Sequence, residues 1–109
     1  MNNMAQMMQK AQMMKQKMGE MQSKVLELEI QGASGAGMVN VLCNGKGDLK
    51  SIKLDPSVVD PEDIEVLEDL ILAAVNDAKS KAEKKVADET QKMMSDLGLP
   101  PGMGLDLPF

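Results

Sequence analysis

The sequence predicts an α+β fold: an α-β-β-β-α subunit with a three-stranded antiparallel meander and two long helices, paired as a homodimer. Three observations carry this. From Met4 to Leu28 the apolar residues recur at alternating gaps of three and four, which is helical spacing. Between Leu26 and Leu54 lie three short alternating runs separated by glycine- and asparagine-rich turns, which is strand patterning. From Ile64 the helical period returns and persists to Met93. The pairing follows from the core the chain can build. It has 109 residues, one phenylalanine, no tryptophan and no tyrosine, so Met, Leu, Ile, Val and Ala must supply the interior. Methionine specifies packing weakly, and a core this small gains stability by association. A three-stranded sheet with two helices also leaves edges and one face to cover.

The first helix reads as a heptad seam, with Met4, Ala11, Met18 and Val25 at a and Met7, Met14, Met21 and Leu28 at d. Gly19 costs it about 1 kcal/mol relative to alanine. Lys10, Lys17 and Lys24 all fall at g, forming a basic edge, while Met8, Lys15 and Gln22 at e offer no acid. Parallel self-pairing would leave those lysines without e-position carboxylates, so the edge calls for an anion from elsewhere.

Leu26 to Gln31 alternates apolar and polar, which places the helix-to-strand boundary between Val25 and Leu28. Gly32 to Gly37 reads as the connector of a hairpin; a phosphate-cradling loop would need a helix after it, and a strand follows instead. Val39, Val41 and Cys43 line one face of the second strand. Asn44-Gly45 opens the next turn. The third strand, Leu49 to Leu54, sets Ile52 and Leu54 on one face and Ser51 and Lys53 on the other. Asp55-Pro56 ends the sheet. Asp60 reads as the N-cap of the second helix, with Pro61 at its first position and Asp63 as the capping-box acid. Ile64, Leu67, Leu70, Ile71, Ala74, Val75 and Ala78 form its broad apolar part, which thins to Ala82, Val86 and Met93 where the helix would leave the globular body beside another helix. The expected core and dimer residues are Val39, Val41, Ile52, Leu54, Leu67 and Ile71. Residues 1–97 are expected to form one domain and 98–109 a disordered tail after Gly98-Leu99-Pro100-Pro101-Gly102.

Net charge is −5, but it is segregated: residues 56–78 carry seven acids and no lysine, while residues 79–92 carry five lysines against three acids. One cysteine, Cys43, and no histidine exclude an intrachain disulfide and a Cys/His zinc site. No apolar run approaches the ~18 residues of a membrane span, and the opening lacks a signal-peptide core, so the expected location is cytosolic. No nucleophile motif or metal constellation is present, which argues against an enzyme and against a cofactor.

In order along the chain stand the Met/Gln/Lys-rich opening Met4 to Met21, then Gly32-Ala33-Ser34-Gly35-Ala36-Gly37-Met38-Val39-Asn40-Val41. Asn44-Gly45-Lys46-Gly47, Leu54-Asp55-Pro56-Ser57, Asp60-Pro61-Glu62-Asp63 and Leu67-Glu68-Asp69-Leu70-Ile71 follow. Ala73-Ala74-Val75-Asn76-Asp77-Ala78 and the Gly98 to Gly102 run complete the series. In this order and spacing the chain resembles the YbaB/EbfC family of bacterial nucleoid-associated proteins over nearly its whole length. The resemblance implies a homodimer whose helices project like tweezers, which binds double-stranded DNA with little sequence demand in the nucleoid, and which has no membrane or small-molecule partner. It attributes the contact to the first and last helices, hence to Lys10, Lys15, Lys17 and Lys24 on one and Lys81, Lys84, Lys85 and Lys92 on the other. The chain contains no arginine, which counts against base-specific readout.

Blander readings compete. The lysine edge could be solvated, or paired with Glu65, Glu68 and Asp69; Asp88 interrupts the second lysine face; and acids early with lysines late in a helix complement its dipole. The methionines could bind copper(I), or form a groove for a partner helix in a protein-binding adaptor, but the heptad seam accounts for them already. Cys43 reads as buried and inert.

Overall fold

Residues 3–96 and residue 98 are described by the computed structural model. The chain runs α1 (Asn3–Glu27), β1 (Ile30–Ser34), β2 (Val39–Cys43), β3 (Leu49–Leu54) and α2 (Ile64–Asp96), with short 3₁₀ turns at Gly35–Gly37 and Pro56–Val58. The three strands form one antiparallel sheet in the order β1-β2-β3, as the alternation predicts. The expected boundary after Leu97 and the tail fall, apart from Gly98, outside the described residues.

Helix wins over strand where the two signals overlap. α1 continues through Glu27, and the Leu28 amide still donates to the Lys24 carbonyl at 3.0 Å. The reason is tertiary: Val25 is completely buried, and its carbonyl accepts the Gly45 amide at 2.9 Å, which fixes the end of α1 on the β2–β3 turn. A Cβ on Gly45 would stand 2.7 Å from that carbonyl oxygen, so close approach rather than a positive φ selects glycine there. Asn44 organises the turn instead, its Oδ1 accepting the Lys46 and Asp48 amides at 2.9 and 3.1 Å.

β1 accordingly starts later than its alternation suggests and takes Gly32, Ala33 and Ser34 out of the expected connector. Gly32 pairs with Val41 and faces α2. A Cβ on Gly32 would press on the Ala78 amide nitrogen and lie 2.5 Å from the Ala74 carbonyl oxygen. Ala74, Ala78 and Ala82, one turn apart and essentially fully buried, are the side of α2 that permits this approach. The Ala33 amide donating to Asp77 at 3.0 Å and the Ser34 hydroxyl donating to the Leu70 carbonyl tie the same strand to the same helix.

Ile30, Val39, Val41 and Cys43 from the sheet and the three alanines from α2 make the main core, with Leu28, Val58, Leu70, Ile71 and Val75 packed around it. Val39 and Val41 are thus core as expected, and Leu67 and Ile71 are half-buried. Ile52 and Leu54 are not core within the chain. They pair with Val41 and Val39 but remain 45% and 37% exposed, because α2 lies across β1 and β2 and leaves β3 uncovered.

α2 also begins later than its capping signal. Asp60 caps a tight turn, its Oδ1 accepting the Glu62 amide and its carbonyl the Asp63 amide, both at 3.0 Å, and the helix starts only at Ile64. At its other end the Gly98 amide donates to the Ser95 carbonyl, with Gly98 at φ +72. Since α1 runs toward the sheet and α2 away from it, the two pack antiparallel. Met21, Val25 and Met93 form a second, smaller core there, flanked by Met18 and Val86. The molecule measures 75 × 21 × 17 Å, with a radius of gyration of 19.5 Å. A compact chain of this length would have one of about 13 Å. The seam therefore splits: its second half packs on α2, whereas Met4 and Met7 at its start, and Met8 and Met13 beside it, are exposed.

Two glycine substitutions should move stability in opposite directions. Gly32→Ala forces β1 and α2 apart and is expected to cost about 3 kcal/mol. Gly19→Ala meets nothing within 4 Å and should stabilise the helix by about 1 kcal/mol. Urea unfolding of both variants checks the pair.

Candidate nucleic-acid interface

The antiparallel contact of α1 and α2 aligns one lysine edge from each helix. Lys24 follows Lys17 by two turns on α1, and Lys92 follows Lys85 by two turns on α2, so each pair keeps to one side of its helix. Between the helices lies a groove of about 240 Å³ lined by Lys17, Glu20, Met21, Lys24, Glu89, Lys92, Met93 and Asp96. Its floor is the small methionine core, and its rims carry both signs of charge.

At the centre is Glu89. Its side chain is 10% exposed, yet its Oε2 accepts from Lys24 Nζ at 2.6 Å and its Oε1 faces Lys85 Nζ at 3.5 Å. The hydrogen bond from Lys24 holds the Glu89 carboxyl below the usual glutamate range. Burial opposes that shift, while the charges of Lys24 and Lys92 and the contact with Lys85 add to it. Elsewhere Lys17 lies 3.7 Å from Glu20 and Lys81 2.9 Å from Asp77. The Asp77 carboxyl is lowered first by Lys81 and then by the Ala33 amide.

The eight lysines expected at the interface therefore separate. Lys17, Lys24 and Lys92 line the groove, and Lys85 reaches the Glu89 carboxylate at its centre. Lys10 continues the α1 edge two turns further out, on the exposed arm. Lys15 stands at e, across the seam from Lys10 and Lys17, and Lys84 is a 100° helical step from Lys85, so neither shares that side. Lys81 is engaged with Asp77. Among the described residues, the carboxylates that meet these lysines are Glu20, Asp77 and Glu89, and not Glu65, Glu68 and Asp69 of the competing reading. Glu89 itself was not legible as a site residue. Its i,i+4 spacing to Lys85 is visible in the sequence, but its partner Lys24 lies 65 residues away.

Three comparisons bear on this arrangement. The model of the YbaB/EbfC DNA-binding family matches residues 1–97. A nucleoid-associated protein of Rhodospirillum centenum is 61% identical, and one of Granulibacter bethesdensis 52% identical, each over 109 residues covering both chains in full. A crystal structure of an uncharacterized protein from Helicobacter pylori superposes with a TM-score of 0.71 at 27% identity, covering 83% of this chain and 95% of the other.

Because the Glu89 carboxyl is lowered in the folded state, its ion pairs stabilise the fold above the unfolded glutamate pKa of about 4.3 and are lost as pH falls through the lower folded value. The urea midpoint is expected to drop as pH is taken from about 4.3 down to that folded value and to level off below it. Glu89→Gln should flatten the drop while leaving the parts that Asp77 and Asp55, both also lowered, contribute.

Proposed function

This chain belongs to the YbaB/EbfC DNA-binding family, and we propose that it grips duplex DNA by the phosphate backbone through the lysine edges of α1 and α2. The observation that carries the reading is the convergence of Lys17, Lys24 and Lys92 on one groove, with Lys85 on its central Glu89, from two helices of a narrow arm that Lys10 extends. Lysines act on phosphate as point charges and read no bases, and the chain has no arginine, so binding is largely independent of sequence. The acidic stretch 56–78 belongs to the turn before α2 and the part of α2 on the sheet, at the other end of the molecule from the groove. A long-range repulsion from those carboxylates is screened within about 8 Å at physiological salt.

The working form is a homodimer. Leu49, Ile52 and Leu54 on β3, with Val59, Ile64, Val66 and Leu72 nearby in sequence, are exposed apolar residues that one copy leaves uncovered. Pairing them between copies would build a central body from which two arms project, and the exposed methionines of α1 would add to the paired surface. The proteins of Rhodospirillum centenum and Granulibacter bethesdensis are named nucleoid-associated. The same place in the cell, the nucleoid within the cytoplasm, follows for this chain from its partner, and its effect there is on nucleoid organisation and gene expression.

A salt-series mobility shift on two unrelated duplexes, beside sizing of the free protein, tests the reading. Affinity should fall with a log–log slope of about −0.9 per phosphate contacted. Lys10→Glu with Lys17→Glu should weaken both duplexes about equally. A much larger loss on one sequence overturns the non-specific model, and a species of single-chain mass overturns the dimer.

A further inference from the structure

Glu89 is placed inversely to an ordinary surface ion pair. The carboxylate is the inner member, 10% exposed, and the two ammonium groups that reach it, from two different helices, are the outer members, 55% and 49% exposed. Each lysine takes a different oxygen, Lys24 the Oε2 and Lys85 the Oε1. A carboxylate and a phosphodiester both offer two oxygens to such a pair of charged donors. The groove that contains this cluster is balanced as it stands, with Lys17, Lys24 and Lys92 set against Glu20, Glu89 and Asp96.

We propose that Glu89 is a resident occupant of a phosphate position, clipping α1 to α2 and holding the protein's affinity for duplex DNA below what its lysines alone would give. The inference rests on the duplex-binding reading above. A lysine already neutralised by a carboxylate has no condensed counterion to displace from DNA on its own behalf, and a phosphate arriving beside Glu89 meets a like charge that solvent screens poorly at that depth. Glu89 therefore offsets one of the two positive charges that Lys24 and Lys85 bring to this side of the arm in its resting form. Lys10, Lys17 and Lys92 act beside the one net charge left to the Lys24–Lys85 pair, and binding stays weak enough to be readily reversed.

The test compares wild type with Glu89→Gln and with Glu89→Met in salt-series binding to one duplex. The Met variant fills a comparable volume beside Met21 and Met93 without a charge, and so keeps the helix contact if Gln loosens it. The one positive charge released by either change should steepen the log–log slope by about 0.9, which carried over the decade from 1 M to 0.1 M salt is a roughly eightfold gain in affinity. Adding either Lys24→Gln or Lys85→Gln to either variant should return the slope to that of wild type. Folded Glu89 variants that bind with an unchanged slope, or more weakly than wild type, overturn the proposal while leaving the duplex-binding reading intact. If wild type binds no duplex even at low salt, that reading falls and this one with it.

Discussion

One contact sets the geometry of the whole molecule: the backbone of β1 lies directly on the backbone of α2. Gly32 has no Cβ, and Ala74 and Ala78 present almost none of the bulk that normally separates a helix from a sheet. Larger side chains at those three positions would hold the layers at an ordinary spacing and let α2 shift toward the centre of the sheet. Here the helix is drawn over β1 and β2, and the apolar face of β3 stays bare. The same placement aims the second half of α2 away from the sheet, where α1 can lie against it.

That arrangement gives the chain two unlike ends. One end holds the sheet, the acidic approach to α2 and the uncovered apolar residues. The other is a pair of helices whose packing is thin, Met21 and Val25 against Met93 with Met18 and Val86 at its margins. So small an apolar contact gives weak specification of register, the more so when methionine supplies most of it. Glu89 adds what the methionines lack, a directional link from α2 to Lys24 on α1. The ion pair that fixes the arm is thus made from the same lysines that face solvent along it, and structural and functional demands on those charges meet at one carboxylate.

The element order was legible because each element carries a long or repeated signal. Seven successive gaps of three and four from Met4 to Leu28 and the run from Ile64 onward leave no alternative to helix, and Val39, Val41 and Cys43 mark their strand by alternation alone. Boundaries were not, and each miss has a tertiary cause. Leu26 to Gln31 alternates well enough to be a strand, yet the burial of Val25 against Gly45 keeps it helical through Glu27. Gly32 reads as a turn residue and is a strand residue, because glycine can signal a close approach as well as a bend. Asp60 and Pro61 carry the chemistry of a helix start and make a turn.

By itself the sequence determined the α-β-β-β-α order, the antiparallel meander, the two lysine edges and the family to which the chain belongs, since all of these rest on periodicity or on motifs read in order. The tertiary structure decided which lysines come together, that Glu89 stands between them, and that Ile52 and Leu54 lie open rather than in the core. The physical reason is the range of the information. Spacing along one helix fixes which side of that helix a residue occupies, whereas the meeting of Lys24 with Glu89 depends on how two distant segments dock, and that was set by three small residues at the other end of the molecule.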